Sequence, residues 1–257
     1  MSGAKCMIYG AYGYTGELAV REARDHGLEP VLAGRSADKL QAVADRWGQG
    51  METRVLGLDD VDVLAEGLAD IGVVLHCAGP FAITSKPMAR ACMKAGTHYL
   101  DITGEMGVFE SLAHQDQKAK DAGIMLLPGI GFDVVPTDCM AMRLKERLPS
   151  ATHLELAFAG LGGGTSQGTL KTAVMNLDQG GAIRVDGRIQ KVPGAHRTRT
   201  IDFGDGKERL VASIPWGDVS TAYQSTGIPN IIAYMAAPPK MVRGMKAARY
   251  VRPLLGL

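Results

Sequence analysis

The stretch from Lys5 to Gly16, Lys-Cys-Met-Ile-Tyr-Gly-Ala-Tyr-Gly-Tyr-Thr-Gly, restricts the fold more than any other part of the chain. Cys6 to Tyr9 is a short, mostly apolar run of the kind that forms a buried parallel strand. Gly10, Gly13 and Gly16 follow at intervals of three, and Glu17 to His26 then reads as helix, with Leu18, Ala19, Val20 and Ala23 as its apolar stripe. Strand, glycine turn and helix in that order make a dinucleotide-binding unit. Gly10 permits the tight turn, Gly13 lets the backbone approach a pyrophosphate, and Gly16 lets the helix pack close to the strand. The free N–H groups and positive dipole end of the helix hold the phosphates. Gly10, Tyr12, Gly13, Tyr14, Thr15 and Gly16 are therefore the first candidate cofactor contacts.

An acidic residue about 20 positions further on would bind a ribose 2′-hydroxyl. The second strand, Pro30 to Gly34, instead ends in Gly34-Arg35-Ser36 with no carboxylate. Arg35 offers a planar cation, Ser36 a hydroxyl, and Lys39 lies about one helical turn beyond Ser36. That set suits the 2′-phosphate of NADP. A solvated Arg35 with Ser36 capping the next helix is compatible with it, because cap and phosphate use the same helix end.

Strand and helix continue to alternate. Asp38 to Trp47 has a helical period, Thr53 to Leu56 is a strand, and Asp59-Asp60 caps a helix running to about Ala69. Asp59 is either that cap or a contact to the adenine. Ile71 to Cys77 is an apolar strand that runs into Ala78-Gly79-Pro80-Phe81, so Cys77, Ala78, Gly79, Pro80 and Phe81 should border the cofactor. Ser85 to Ala95 is helical and His98 to Ile102 a strand. Phe109 to Ala122 reads as one helix and Ile124 to Leu127 as a sixth strand. Pro128-Gly-Ile-Gly-Phe-Asp-Val-Val-Pro-Thr-Asp138 opens a helix to about Leu148. The alternation argues a parallel sheet with helices on both faces over residues 1–149.

Beyond Pro149-Ser150 the pattern changes. His153 to Ala159, Arg184 to Val192, Arg197 to Phe203, Glu208 to Ile214 and Asn230 to Ala236 read as strands, with hairpin turns at Asp186-Gly187 and Asp205-Gly206. Residues 150–257 are expected to form a smaller α+β domain on an antiparallel sheet. Thr165 to Leu177 reads as a helix after Gly162-Gly163-Gly164. Its first turn places Thr165, Ser166 and Thr169 where a substrate carboxylate or phosphate would bind, or where they simply cap the helix.

Net charge is +1, which gives no case for nucleic acid as a partner. The first strand begins close to Met1 with no apolar segment before it, and no run approaches the ~20 apolar residues of a membrane span. The four cysteines show no Cys-x-x-Cys pairing and the six histidines no metal-ligand spacing. A reduced, cytoplasmic protein without a metal is expected.

Two chemistries are disfavoured by the residues themselves. None of the seven tyrosines has a lysine four positions on, the arrangement a short-chain dehydrogenase uses to lower a phenol pKa. Cys139 follows Asp138, which raises rather than lowers a thiol pKa, so a thiohemiacetal route is not expected. Acidic and aromatic groups gather at the strand ends as Tyr99, Asp101, Glu105 and Asp133. Asp133 and then Tyr99 are the candidate catalytic proton donors, each with a structural hydrogen bond as its plainer role.

Gly10–Gly16, Ala33-Gly34-Arg35, Cys77–Phe81, Tyr99–Glu105 and Pro128–Asp138 together resemble the saccharopine-dehydrogenase-like oxidoreductases, a family that includes trans-acting enoyl reductases. The resemblance covers about the first 140 residues well, and the remainder loosely through Gly-Gly-Gly-Thr-Ser and Ile-Pro-Trp-Gly-Asp. It implies a doubly wound Rossmann domain, an NADP-dependent reductase activity, and a small-molecule or acyl substrate taken between two domains. A non-catalytic NADP-binding sensor is the alternative. The chain ends sooner than the resemblance leads one to expect of the family's substrate domain, which a truncated form would explain. Pro238 to Leu257 carries Lys240, Arg243, Lys246, Arg249 and Arg252 and no acid. A lipid surface or acyl carrier docking there, and a homodimer, are the partners in view beside the substrate. The cations drift around the helix instead of holding one face, which favours a core element over a membrane-surface helix.

Overall fold

The computed structural model describes residues 5–47, 50–160 and 180–251. The chain divides into two compact units, Met1–Gly131 and Phe132–Leu257.

The first unit alternates strand and helix as β1 (Lys5–Tyr9), α1 (Tyr14–Asp25), β2 (Val31–Gly34), α2 (Ala37–Trp47), β3 (Thr53–Val55), α3 (Val61–Glu66), β4 (Ile71–His76), α4 (Phe81–Ala95), β5 (His98–Asp101), α5 (Met106–Ala113), α6 (Asp116–Asp121) and β6 (Leu126–Leu127). All neighbours in the sheet are parallel, in the order β3-β2-β1-β4-β5-β6. This is the doubly wound arrangement, and the order reverses between β1 and β4. Successive residues of β1 explain why its run is continuously apolar. Met7 and Tyr9 join one core with Leu64, Val74 and Met88, while Ile8 joins another with Val20, Leu40 and Val43. Two helices stand where the sequence suggests one, because the chain breaks between Ala113 and Asp116. There the His114 ring donates to the carbonyl of Glu110, and Gln115 leaves the helical backbone region.

The second unit begins with α7 (Val135–Arg147) and continues as β7 (His153–Phe158), β8 (Gly181–Val185), β9 (Arg188–Val192), β10 (Thr198–Asp202), β11 (Glu208–Ile214), α8 (Asp218–Thr226), β12 (Asn230–Ala236) and α9 (Pro239–Val251). Its sheet runs β10-β11-β12-β8-β9 with antiparallel neighbours, and β7 adds to β12 in parallel. The units part at Gly131–Phe132, ahead of the Pro149-Ser150 change of pattern, because α7 packs on α8 and β7. Ala141 of α7 shares a core with Leu154, Leu156, Ala222 and Ile231. The hairpin turn expected at Asp186-Gly187 joins β8 to β9 inside the Arg184 to Val192 segment, with both turn residues at positive φ. Helix α8 has no counterpart in the sequence reading. Val242 of α9 is buried with Ala195, Ala212 and Ala237, while Lys240, Arg243 and Lys246 are exposed. No helix among the described residues is long and apolar enough to cross a membrane.

Candidate functional site

Ligands of open α/β sheets bind outside the carboxyl ends of the strands where the order reverses. Here that place lies between the loops that follow β1 and β4. Gly10 has φ +83°, and a Cβ on it would meet Ala78 Cβ at 2.9 Å, so the two loops abut at this residue. The Gly10 and Ala11 N–H groups donate to the Ala33 carbonyl, which ties the turn to the end of β2. A Cβ on Gly16 would lie 2.2 Å from the Gly10 carbonyl oxygen, which makes glycine the residue that fits there. Gly13 stands at the N-cap of α1 with no side-chain cap. The helix N-terminus thus faces outward with its N–H groups uncapped by protein side chains, and Tyr14 and Thr15 beside it are exposed. These residues fit a dinucleotide pyrophosphate.

At the end of β2, Arg35 and Lys39 are exposed and Ser36 is half-buried. Ser36 stands just before α2, and its carbonyl accepts the Leu40 N–H. The Tyr12 hydroxyl accepts the Arg35 N–H at 3.2 Å, and the Lys39 ammonium lies 5.7 Å from the centre of the Tyr12 ring. The helix cap in the next loop is Asp60, whose Oδ1 accepts from the Asp62 and Val63 N–H groups. Asp59 is exposed and outside that cap.

After β4, Cys77, Ala78, Gly79 and Pro80 lead into α4, whose first residue, Phe81, is buried. Burial pushes the Cys77 thiol up to about 12, which removes it as a nucleophile at neutral pH. The Glu105 carboxylate accepts the Phe81 and Ala82 N–H groups, each at 2.9 Å. It is therefore the cap of α4, a role that sequence spacing does not reveal because the two segments lie 24 and 23 positions apart. His76, at the end of β4, is fully buried among Tyr9, Phe81 and Tyr99, with ring centres 5.4, 5.4 and 6.1 Å away. Neither ring nitrogen has a hydrogen-bond partner, and burial lowers its pKa to about 3.

The two candidate proton donors belong to different units. Tyr99 is fully buried, and its hydroxyl donates to Asp101. Burial, with the Asp101 carboxyl beside it, holds its pKa well above the ordinary phenol range. Its place is that of a core hydrogen-bond donor, the plainer of the two roles the sequence allows. Asp133 is half-buried, and burial raises its pKa. The Trp216 indole N–H donates to the Asp133 carbonyl at 2.7 Å, and the Trp216 ring lies 4.9 Å from that of Phe158.

Around Asp133 the second unit holds groups that the sequence reading did not select. Asp218, at the start of α8, is 1% exposed. Its Oδ1 accepts the Thr137 hydroxyl at 2.5 Å, and its Oδ2 has no partner. Burial, and then the neighbouring Asp138 and Asp133, raise its pKa to about 6. Asp138 Oδ2 accepts the Ser225 hydroxyl at 2.7 Å. The Ile-Pro-Trp-Gly-Asp segment was the available signal, since it carries both Trp216 and Asp218. Thr165, Ser166 and Thr169 lie outside the described residues.

Residues 6–127 match the family described as the saccharopine dehydrogenase NADP binding domain. Among curated proteins the chain is similar to the saccharopine dehydrogenase-like oxidoreductase of Rattus norvegicus, 27% identical over 201 residues, which covers 69% of this chain and 47% of that protein. It is also similar to the trans-acting enoyl reductase of Mycobacterium ulcerans, 34% identical over 161 residues, with 60% of this chain and 38% of that protein covered. The chain thus spans less than half the length of these relatives. Among solved structures, apo saccharopine dehydrogenase (L-Glu forming) from Saccharomyces cerevisiae aligns with a TM-score of 0.68 at 16% identity, over 95% of this chain and 57% of that chain. That likeness is one of fold. The cradle between β1 and β4 lies within residues 6–127, the stretch similar to the saccharopine dehydrogenase NADP binding domain, and its geometry suits a nicotinamide dinucleotide.

Proposed function

We propose that the chain is an NADP-dependent oxidoreductase, or part of one, that transfers hydride to the carbonyl or enoyl group of a small-molecule or acyl substrate. The observation that carries this reading is the uncapped α1 N-terminus beside a β2 end that offers Arg35, Ser36 and Lys39 and no carboxylate. When bound, the nicotinamide supplies the hydride. The protein's part is to bind and orient the dinucleotide through the Gly10–Gly16 turn and the Cys77–Phe81 loop, and to provide a proton to the substrate atom that gains negative charge. Asp133 is the proposed donor, a half-buried carboxyl group at the start of the second unit whose pKa burial raises. The similarity to a trans-acting enoyl reductase supports an enoyl substrate.

Calorimetric titration with NADPH and NADH, followed by nicotinamide absorbance with a panel of carbonyl and enoyl substrates, tests the proposal. NADPH binding with turnover of one class supports it. Stoichiometric binding without turnover across the panel would favour a sensor, and absence of binding would remove both readings.

A further inference from the structure

Gly34 ends β2, the place where domains that take NAD carry the acidic residue for the ribose 2′-hydroxyl, about 20 residues past the glycine turn. In this chain the space beside that position is filled. A Cβ on Gly34 would lie 2.6 Å from Cε1 of Tyr12, 3.2 Å from Cζ and 3.3 Å from the phenol oxygen. The Gly34 backbone is ordinary strand, paired in register with Val55. Conformation does not demand glycine here, so the Tyr12 ring is what excludes a side chain. The ring is itself held in place. Its hydroxyl accepts the Arg35 N–H, the Lys39 ammonium lies over its face, and it packs against the core that contains Ala11, Leu32 and Leu40.

We infer that Tyr12 sets the 2′ specificity of the cofactor site. Its ring takes the volume that a ribose-binding carboxylate would need. Its hydroxyl fixes the backbone of Arg35, the cation proposed for the 2′-phosphate. Tyr12 thereby acts twice, against NAD by exclusion and toward NADP by placing Arg35. The inference rests on the NADP reading above and adds the residue that enforces it.

The test compares the wild-type chain with Gly34→Asp and with Tyr12→Ala/Gly34→Asp by calorimetric titration of NADPH and NADH. Wild type should prefer NADPH. Gly34→Asp alone should weaken both nucleotides by about tenfold or more, since the ring and the new carboxylate compete for one space. The double variant should recover NADH by at least about tenfold over Gly34→Asp while NADPH stays weak, because the carboxylate then reaches the 2′-hydroxyl and repels the 2′-phosphate. A single Gly34→Asp change that takes NADH as well as the double variant does would overturn the inference. So would a double variant no better than Gly34→Asp. A wild-type preference for NADH would remove the NADP reading itself, whatever the variants do. Thermal melting of Gly34→Ala and Tyr12→Ala/Gly34→Ala without nucleotide supplies a second readout. Gly34→Ala should melt below wild type and the added Tyr12→Ala should recover part of the loss. Gly34→Ala melting with wild type would show that the ring does not hold the space.

Discussion

Tyr99 and Asp101, two positions apart on one side of β5, share a 2.5 Å hydrogen bond in which the phenol donates to Oδ2, and both are fully buried. The other oxygen, Oδ1, accepts the N–H groups of Thr103 at 2.9 Å and Gly129 at 2.8 Å. One carboxylate therefore ties together the end of β5, the loop after it and the loop after β6. Three donors offset the desolvation that raises the Asp101 pKa. Tyr99→Phe removes one donor and leaves Oδ2 buried without a partner, which should cost about 1–3 kcal/mol. Asp101→Ala strands all three donors and should cost more. Urea unfolding measures both, and a Tyr99→Phe loss below about 0.5 kcal/mol would mean that water replaces the phenol.

Arg35→Ala should weaken NADPH by about 1.5–3 kcal/mol, the worth of a charge-assisted contact to the 2′-phosphate, and leave NADH nearly unchanged. Titration of both nucleotides checks it. Equal losses would take Arg35 out of the phosphate site.

Gly16→Ala should abolish binding of both nucleotides, because its Cβ would stand 2.2 Å from the Gly10 carbonyl oxygen and the turn must open to admit it. Gly107 in α5 is the control, since a Cβ there meets nothing within 4 Å. Gly107→Ala should keep nucleotide binding and gain up to about 1 kcal/mol from helix propensity. The measurements are calorimetric titration and the melting temperature. Full binding by Gly16→Ala would show that the turn tolerates the extra atom.

The first unit was legible because its signals are local. An apolar run, a glycine turn and an amphipathic helix each declare themselves within about a dozen residues, and the parallel sheet follows from their alternation. What escaped depends on contacts across the sequence or on faces without an apolar stripe. Helix α8 buries Asp218, Ser220 and Thr226 beside Val219 and Ala222, so its inner face does not read as hydrophobic. Glu105 caps a helix that begins far upstream. The unit boundary follows the packing of α7, although the strand–helix alternation runs on through that helix. The Tyr99–Asp101 pair was within reach of the sequence, since residues two apart on a strand share a face. Which of them would be sealed from solvent was not, because burial depends on what α4 and the β6 loop lay over them.

His76 should make the first unit acid-sensitive. Its pKa falls from 6.5 to about 3 on folding because the ring is buried without partners. The unfolded chain therefore binds the extra proton first, and stability is lost as pH falls from about 6.5 toward 3. His76→Leu removes two unpartnered nitrogens and should leave stability at pH 7 within about 1.5 kcal/mol of wild type. The variant should also lose less stability than wild type between pH 7 and 4. Parallel pH dependences in urea unfolding would indicate that the ring is solvated in the folded protein.

Asp218 should give the second unit the opposite dependence. Its pKa rises from 3.8 unfolded to about 6 folded, so between those values the folded state holds the proton that the unfolded state has released. Stability then falls as pH rises through that window, is fully retained below it and levels off above it. The difference of about two units corresponds to a contribution on the order of 3 kcal/mol. Asp218→Asn resembles the protonated acid and does not titrate. At pH 4 it should be close to wild type, and by pH 7 it should be the more stable of the two by up to about 3 kcal/mol. Asp138 and Asp133 raise the Asp218 pKa from nearby, so Asp138→Asn should narrow the same gap. Trp216 joins the unit through the Asp133 carbonyl, and its fluorescence in a Trp47→Phe background reports unfolding of this unit alone. A gap between Asp218→Asn and wild type that stays constant from pH 4 to pH 7 would mean that Asp218 is ionised throughout, with its second oxygen paired to water.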